Sequence, residues 1–198
     1  MVYLYAADVS GLLDPWENPE LLEGLPLERQ EKIQKCQQED KRKQSFGAGL
    51  LIKHALETHG VQAEEMISNM SHSGTLVICA LSEKAVGCDT ECLKEAPGRV
   101  SERFFCESEK VYLNQFQGKA YDRQFFRLWT IKESYMKMTR EGMKLPFHQF
   151  EVNLGERITI IRDGKVQLCY IKEYDVADYL VTVCAESDAF AEMSWVNL

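Results

Sequence analysis

Leu76–Cys88, LVICALSEKAVGC, is a nearly continuous apolar stretch broken only by Ser82-Glu83-Lys84, and it runs into two carboxylates, Asp89 and Glu91. The pattern predicts two short strands, 75–83 and 85–91, joined by a tight turn and wrapped in a core. Residues i and i+2 of a strand share a face, so the two acids stand side by side at the mouth of that core. There they repel, and each raises the other's pKa unless a cation intervenes. A hard divalent cation such as Mg2+ answers this arrangement, because it takes a few carboxylate oxygens and leaves room for substrate phosphates. Asp-x-Glu is common, however, and a polar strand end with two solvated acids explains the pair equally well.

The remaining chain supplies material to surround these strands. VYLYAADVS predicts an opening strand, and 27–59 a helical stretch, polar first and then apolar, that stops at Gly60. The first half therefore reads β-α-β-β. Ala96-Pro97-Gly98 is the best boundary, giving halves 1–95 and 96–198. In the second half, 102–116 and 123–140 predict helices. QFEVNL, ITIIRD, VQLCYIKEYD and YLVTVCAES predict strands, the middle pair joined at Asp163-Gly164. The expected fold class is α+β (α/β), a pseudo-twofold pair of similar small subdomains. At 198 residues, such a chain buries roughly 70% of its unfolded surface and needs no disulfide or metal staple.

Charge and cysteine usage narrow the setting. Against 23 Lys+Arg stand 31 Asp+Glu, a net charge of -8 that argues against a nucleic-acid binder. No run of about 18 apolar residues predicts a membrane span, and MVYLYAADVSG lacks the features of a secretory signal. Four of the seven cysteines (Cys79, Cys88, Cys169 and Cys184) sit in apolar runs, which predicts reduced, buried thiols in the cytoplasm. Cys88 and Cys92 stand alone, so a zinc site has no second pair.

Two further segments carry candidate chemistry. In Trp129–Lys137, WTIKESYMK, the residues Lys132, Glu133 and Lys137 are embedded in an apolar helix. Glu133 and Lys137 have the favourable i,i+4 spacing of an ion pair. Asn69–Gly74, NMSHSG, predicts a loop whose N–H groups, hydroxyls and imidazole suit an anion such as phosphate. No Walker A loop, G-x-G-x-x-G or G-x-S-x-G elbow is present, which removes support for P-loop, dinucleotide and hydrolase readings.

In order and spacing, SHSG (71–74), VGCDTE (86–91) and WTIKESYMK (129–137) resemble the signatures of the 4'-phosphopantetheinyl transferases. The likeness is to the larger, two-halved subfamily that activates surfactin synthetase, and RFFCESEK (103–110) is similar to the stretch preceding its last motif. The resemblance implies an enzyme of the holo-acyl-carrier-protein synthase kind. It moves the phosphopantetheine arm of coenzyme A onto a serine of an apo acyl or peptidyl carrier protein and releases 3',5'-ADP. It implies Mg2+ held by Asp89, Glu91 and Glu133 in a cleft between the halves, with Glu133 as base for the carrier serine. It makes Lys137 a phosphate contact, Ser71 and His72 holders of the 3'-phosphate end, and Arg29, Lys32 and either Arg42 or Lys43 further phosphate contacts. Lys132 fits a structural ion pair as well as a ligand contact. A monomer is expected, because one chain holds both sides of the cleft.

One departure stands out. The family's Gly-Lys-Pro loop, which contacts the adenine end of coenzyme A, is absent before SHSG. Either the loop is lost or a segment is missing near Ile67–Asn69; the second is the expectation. Two other functions compete: a catalytically silent coenzyme A or carrier-binding module, and an unrelated Mg2+-dependent phosphohydrolase. The carrier and its pathway, fatty-acid, polyketide or nonribosomal-peptide, are not specified by the sequence.

Overall fold

A computed structural model describes the backbone of residues 1–198 and all side chains except those of Val61, Gln62 and Met143. The opening strand is β1, Val2–Asp8. A short helix α1 (Pro19–Glu23) follows, and the expected helical stretch is then two helices, α2 (Leu27–Gln34) and α3 (Glu39–His59). Arg42 holds the break between them. It donates to the Cys36 carbonyl at 3.0 Å and to both carboxylate oxygens of Asp14. Gly60, at φ 55°, ends α3 as its position predicts.

Three strands follow: β2 (Ile67–Ser73), β3 (Leu76–Ser82) and β4 (Val86–Cys92). Where composition predicts a loop at Asn69–Gly74, residues up to Ser73 are therefore a strand. Its low-propensity side chains are overruled by tertiary context. Every residue of β2 pairs with β3, and Asn69, Ser71 and Ser73 each find hydrogen-bond partners on β4. Nor do β3 and β4 form a ladder with each other: residues 83–85 carry the chain from one sheet to another.

The second half contains α4 (Val100–Phe104), α5 (Glu107–Leu113) and the long α6 (Gly118–Thr139). The single helix expected over 102–116 is thus divided at Phe105-Cys106, where Cys106 and Glu109 build a capping box for α5. After α6 come β5 (Phe150–Leu154), β6 (Ile158–Arg162), β7 (Lys165–Val166), β8 (Tyr170–Val176), β9 (Tyr179–Ala185) and β10 (Phe190–Trp195). The Asp163-Gly164 turn joins β6 to the two-residue β7 rather than to the longer strand expected there. The last strand, β10, is not evident in the sequence.

The sheets have orders β10-β1-β3-β2, β4-β9-β8 and β5-β6-β7, giving the α+β class that the pattern of elements predicts. Alternation along the strands assigns the faces. Tyr5, Ala7, Val77, Cys79 and Leu81 pack against Phe46, Leu51 and Ala55 of α3. The opposite face, Leu4, Ala6, Ile78 and Ala80, packs against Cys88, Val181 and Val183 of the second sheet. That sheet's other face, through Leu180 and Cys184, meets Ile131, Tyr135 and Met138 of α6. Thr182 adds a 2.9 Å hydroxyl contact to Thr130 of α6. Two chain crossings tie the layers together: β4 pairs antiparallel with β9, and β10 returns to pair parallel with β1. No helix among the described residues is long and apolar enough to cross a membrane.

Candidate active site at the edge of two sheets

Gly87 sets the distance between two of the sequence motifs. A Cβ at this position would overlap the backbone of Ser134 and Met138, so only glycine lets α6 lie directly on β4. Two residues on, Asp89 faces that helix. Its Oδ1 accepts hydrogen bonds at 2.7 Å from both Lys137 Nζ and Ser71 Oγ. Lys137 also donates to Ser71 Oγ at 3.2 Å and to the Cys88 carbonyl at 3.1 Å. One lysine thus links α6, β4 and β2.

The three acids singled out in the sequence feel one another. Burial raises the pKa of Asp89, against the opposing pull of Lys137 and Ser71. Glu91 accepts from Ser73 Oγ at 3.0 Å, and burial followed by the charge of Asp89 raises its pKa. Burial, then Asp89, also raises Glu133, with Glu91 adding to the repulsion and Lys137 opposing it. For Lys137 burial works against the charged form, but Asp89, Cys88 and Glu133 together outweigh it and the pKa is raised.

These acids fit a hard cation on one further observation. Asp89 is 5% exposed, and its Oδ2 is buried with no hydrogen-bond partner. Such an acceptor is costly to leave unmet, and a cation ligated there would satisfy it. Among the described residues no group of three or more His, Cys, Asp or Glu side chains forms a finished metal cage. The fit therefore rests on the orphaned oxygen and the mutual charge coupling.

Beside the acids lies a groove of about 510 Å³. From α2 it receives Arg29 and Lys32, one turn apart, and from the link between α2 and α3 it receives Cys36. From α3 it receives Lys41, Ser45 and Ala48, at i, i+4 and i+7, and β2 contributes Ser71 and His72, with Lys137 at the far side. The structure thus brings five expected ligand residues, Arg29, Lys32, Ser71, His72 and Lys137, around one groove. It places the remaining candidates elsewhere: Lys43 pairs with Glu39 at 2.8 Å and Arg42 with Asp14. Lys41 occupies the position sought for them. Desolvation of the His72 ring, then the charges of Lys41, Lys137 and Lys32, hold its pKa below the ordinary value even though its outer edge is exposed.

Lys132 belongs to a different network. It is fully buried and pairs with Glu109 at 2.8 Å. It also donates to the carbonyls of Phe147 and Phe150 at 2.8 and 2.6 Å. Glu109 in turn accepts from the N–H groups of Cys106 and Val152. Of its two sequence readings, the ion pair is the one seen, and it explains the acid of RFFCESEK. Ile67–Asn69, where the family's loop is absent, open strand β2. Those residues pair in unbroken register with Ser82, Leu81 and Ala80, and residues 60–66 lead from α3 to β2 in one short turn.

Residues 85–184 match the sequence profile of the 4'-phosphopantetheinyl transferase superfamily, a span that holds Asp89, Glu91, Glu133 and Lys137. The 4'-phosphopantetheinyl transferase gsp of Aneurinibacillus migulanus is 42% identical over 135 residues, covering 66% of this chain and 56% of the relative. The 4'-phosphopantetheinyl transferase Sfp of Bacillus subtilis (strain 168) is 35% identical over 136 residues, covering 63% and 57%. A second Bacillus subtilis 4'-phosphopantetheinyl transferase is 33% identical over 134 residues, covering 65% and 58%. The chain spans a little over half the length of these relatives. With its profile matched across half its residues, this chain belongs to the 4'-phosphopantetheinyl transferase superfamily.

Proposed function

We propose that the protein transfers the 4'-phosphopantetheine arm of coenzyme A to a serine hydroxyl of an apo acyl or peptidyl carrier protein. The observation that carries this reading is the meeting of two sites. The coupled acids Asp89, Glu91 and Glu133 and a groove rich in cations share Lys137, which pairs with Asp89 and lines the groove, so one ligand could engage both. The serine oxygen attacks the phosphorus that carries the pantetheine arm. The bond from that phosphorus to the bridging oxygen breaks, and 3',5'-ADP departs with the electron pair.

Glu133 takes the serine proton. Its raised pKa makes it a stronger base than a solvated glutamate. Lys137 orients Asp89 and adds its positive charge beside the phosphates. Arg29, Lys32 and His72 hold the nucleotide end. Asp89, Glu91 and Glu133 would hold Mg2+, which supplies charge neutralisation at the pyrophosphate when bound. Residues 1–95 and 96–198 act together within one cytoplasmic monomer, because the acids come from both. On a fatty-acid carrier the product is a holo-acyl carrier protein.

Docking of an acidic carrier needs free cations near the site. Arg123 and Arg127 are engaged by Asp175 and Glu173, which leaves Lys94 and Lys119 around the hollow beyond β4. Carrier-dependent release of 3',5'-ADP, followed by chromatography over a panel of apo carriers with CoA and Mg2+, tests the reading. Release with at least one carrier is expected; CoA bound but never cleaved would instead mark a silent binding module.

A further inference from the structure

Two of the free cysteines, Cys169 and Cys184, stand together where β8 begins against β9. Ile171 of β8 pairs with Cys184 of β9, so Cys169, two residues before Ile171, falls on the same sheet face and diagonal to Cys184. Both side chains pack into the core under α6. There Cys184 donates a hydrogen bond to Cys169, and its Sγ lies 3.6 Å from Met138 Sδ. The two thiols differ in access, since Cys184 is fully buried and Cys169 only half-buried. Cys169 also precedes Tyr170, the first ladder residue of β8, so its backbone is not held by β9 and can close the gap to a disulfide. The hydrogen bond from Cys184 holds the Cys169 thiol below its ordinary pKa despite burial, while burial, then Cys169, pushes Cys184 well above it. A reachable thiolate beside a protonated thiol is the arrangement of a redox-responsive pair rather than of a structural core cysteine.

We propose that Cys169 and Cys184 are a peroxide-responsive pair, in which Cys169 is oxidised first and Cys184 resolves it to a disulfide. The Cys169 thiolate attacks one oxygen of hydrogen peroxide and the O–O bond breaks. Hydroxide leaves with the electron pair and becomes water with the proton that Cys169 gave up, and Cys169 is left as a sulfenic acid. The Cys184 sulfur then attacks the sulfenic sulfur, the S–O bond breaks, and a second water departs with the Cys184 proton. Two thiols lose two electrons and the peroxide gains them. Cys184 stands opposite Gly87 in the β4–β9 ladder, so the closed disulfide ties the start of β8 to the strand face that meets α6.

Peptide mapping of the full chain without reduction, after graded hydrogen peroxide, quenching and alkylation, tests this. A Cys169–Cys184 crosslinked peptide should appear, lighter by two hydrogens and lost on adding dithiothreitol. Cys169 should be consumed before Cys36, Cys92 and Cys106, the other partly exposed thiols. In Cys169→Ser, a change at the more accessible partner, Cys184 should stay open to alkylation on unfolding. Folded Cys184→Ala should instead accumulate a Cys169 sulfenic acid trapped by dimedone. No crosslink in the unaltered protein while other thiols oxidise, or equal oxidation of Cys184 in Cys169→Ser, would overturn the proposal. The first readout needs no variant, so a substitution that fails to fold leaves the test intact.

Discussion

Lys137 Nζ lies 2.7 Å from Asp89 Oδ1, joining the long helix of the second half to an edge strand whose sequence falls in the first. The carboxylate is nearly inaccessible, so its charge depends on this lysine and on Ser71. Lys137→Ala should push the Asp89 pKa further up. It should also lower kcat by about 10²–10³-fold, the usual cost of deleting a preorganised electrostatic partner. Steady-state release of 3',5'-ADP reads this directly, and turnover close to that of the unaltered protein would remove Lys137 from the machinery.

Gly87 controls the approach that makes this contact possible. Gly87→Ala places a methyl against the backbone of α6, which cannot move aside as a side chain would. Destabilisation of about 1–3 kcal/mol or more is expected from overpacking, with a loss of activity larger than the loss of folded protein. Denaturant unfolding alongside turnover checks both. A variant as stable and as active as the parent would show that α6 does not rest on β4 as described.

The Lys132–Glu109 pair is a structural element with a measurable signature. Removing one partner, as in Glu109→Gln, strands a buried charge and should cost about 3–5 kcal/mol. Lys132→Met combined with Glu109→Leu should recover part of that loss, because no charge is then left buried. In the folded fraction of each variant KM for CoA should stay constant. A raised KM at full stability would instead make Lys132 a ligand contact.

His72 reports on the groove without any chemistry. Because desolvation and three lysines hold its pKa below the ordinary 6.5, its ring is neutral at pH 7. The unfolded chain then protonates first as the pH drops, so the His72 contribution to stability falls between about 6.5 and the lower folded value. Lys41→Gln should raise the His72 pKa, and bound phosphate should raise it more. Both shifts are visible by NMR titration of the imidazole; an unmoved resonance in Lys41→Gln would place Lys41 outside the groove.

Much of this site was legible in the sequence because its chemistry lies in short motifs. Asp89, Glu91, Glu133 and Lys137 sit within signatures whose residue types are dictated by charge and, at Gly87, by the close approach of α6 to β4. The β2 strand was not legible: Asn69, Ser71, His72 and Ser73 read locally as loop, and the ladder with β3 and the contacts to β4 override that preference. β10 was hidden for a related reason, since FAEMSW is half exposed and acquires strand form by pairing with β1, far away in sequence. The place of Lys41 and Ser45 along the groove was not legible, although its signal was present. The helical period places 41, 45 and 48 on one face, but a register off by two residues selects Lys43, which turns toward Glu39.

The most direct test follows the carrier itself. Intact-mass spectrometry of an apo carrier protein, incubated with CoA, Mg2+ and this protein, should show the gain of one phosphopantetheinyl group. Folded Glu133→Gln should convert the same carrier far more slowly. No mass gain across fatty-acid, polyketide and nonribosomal-peptide carriers, or conversion by Glu133→Gln at the parent rate, would contradict the account.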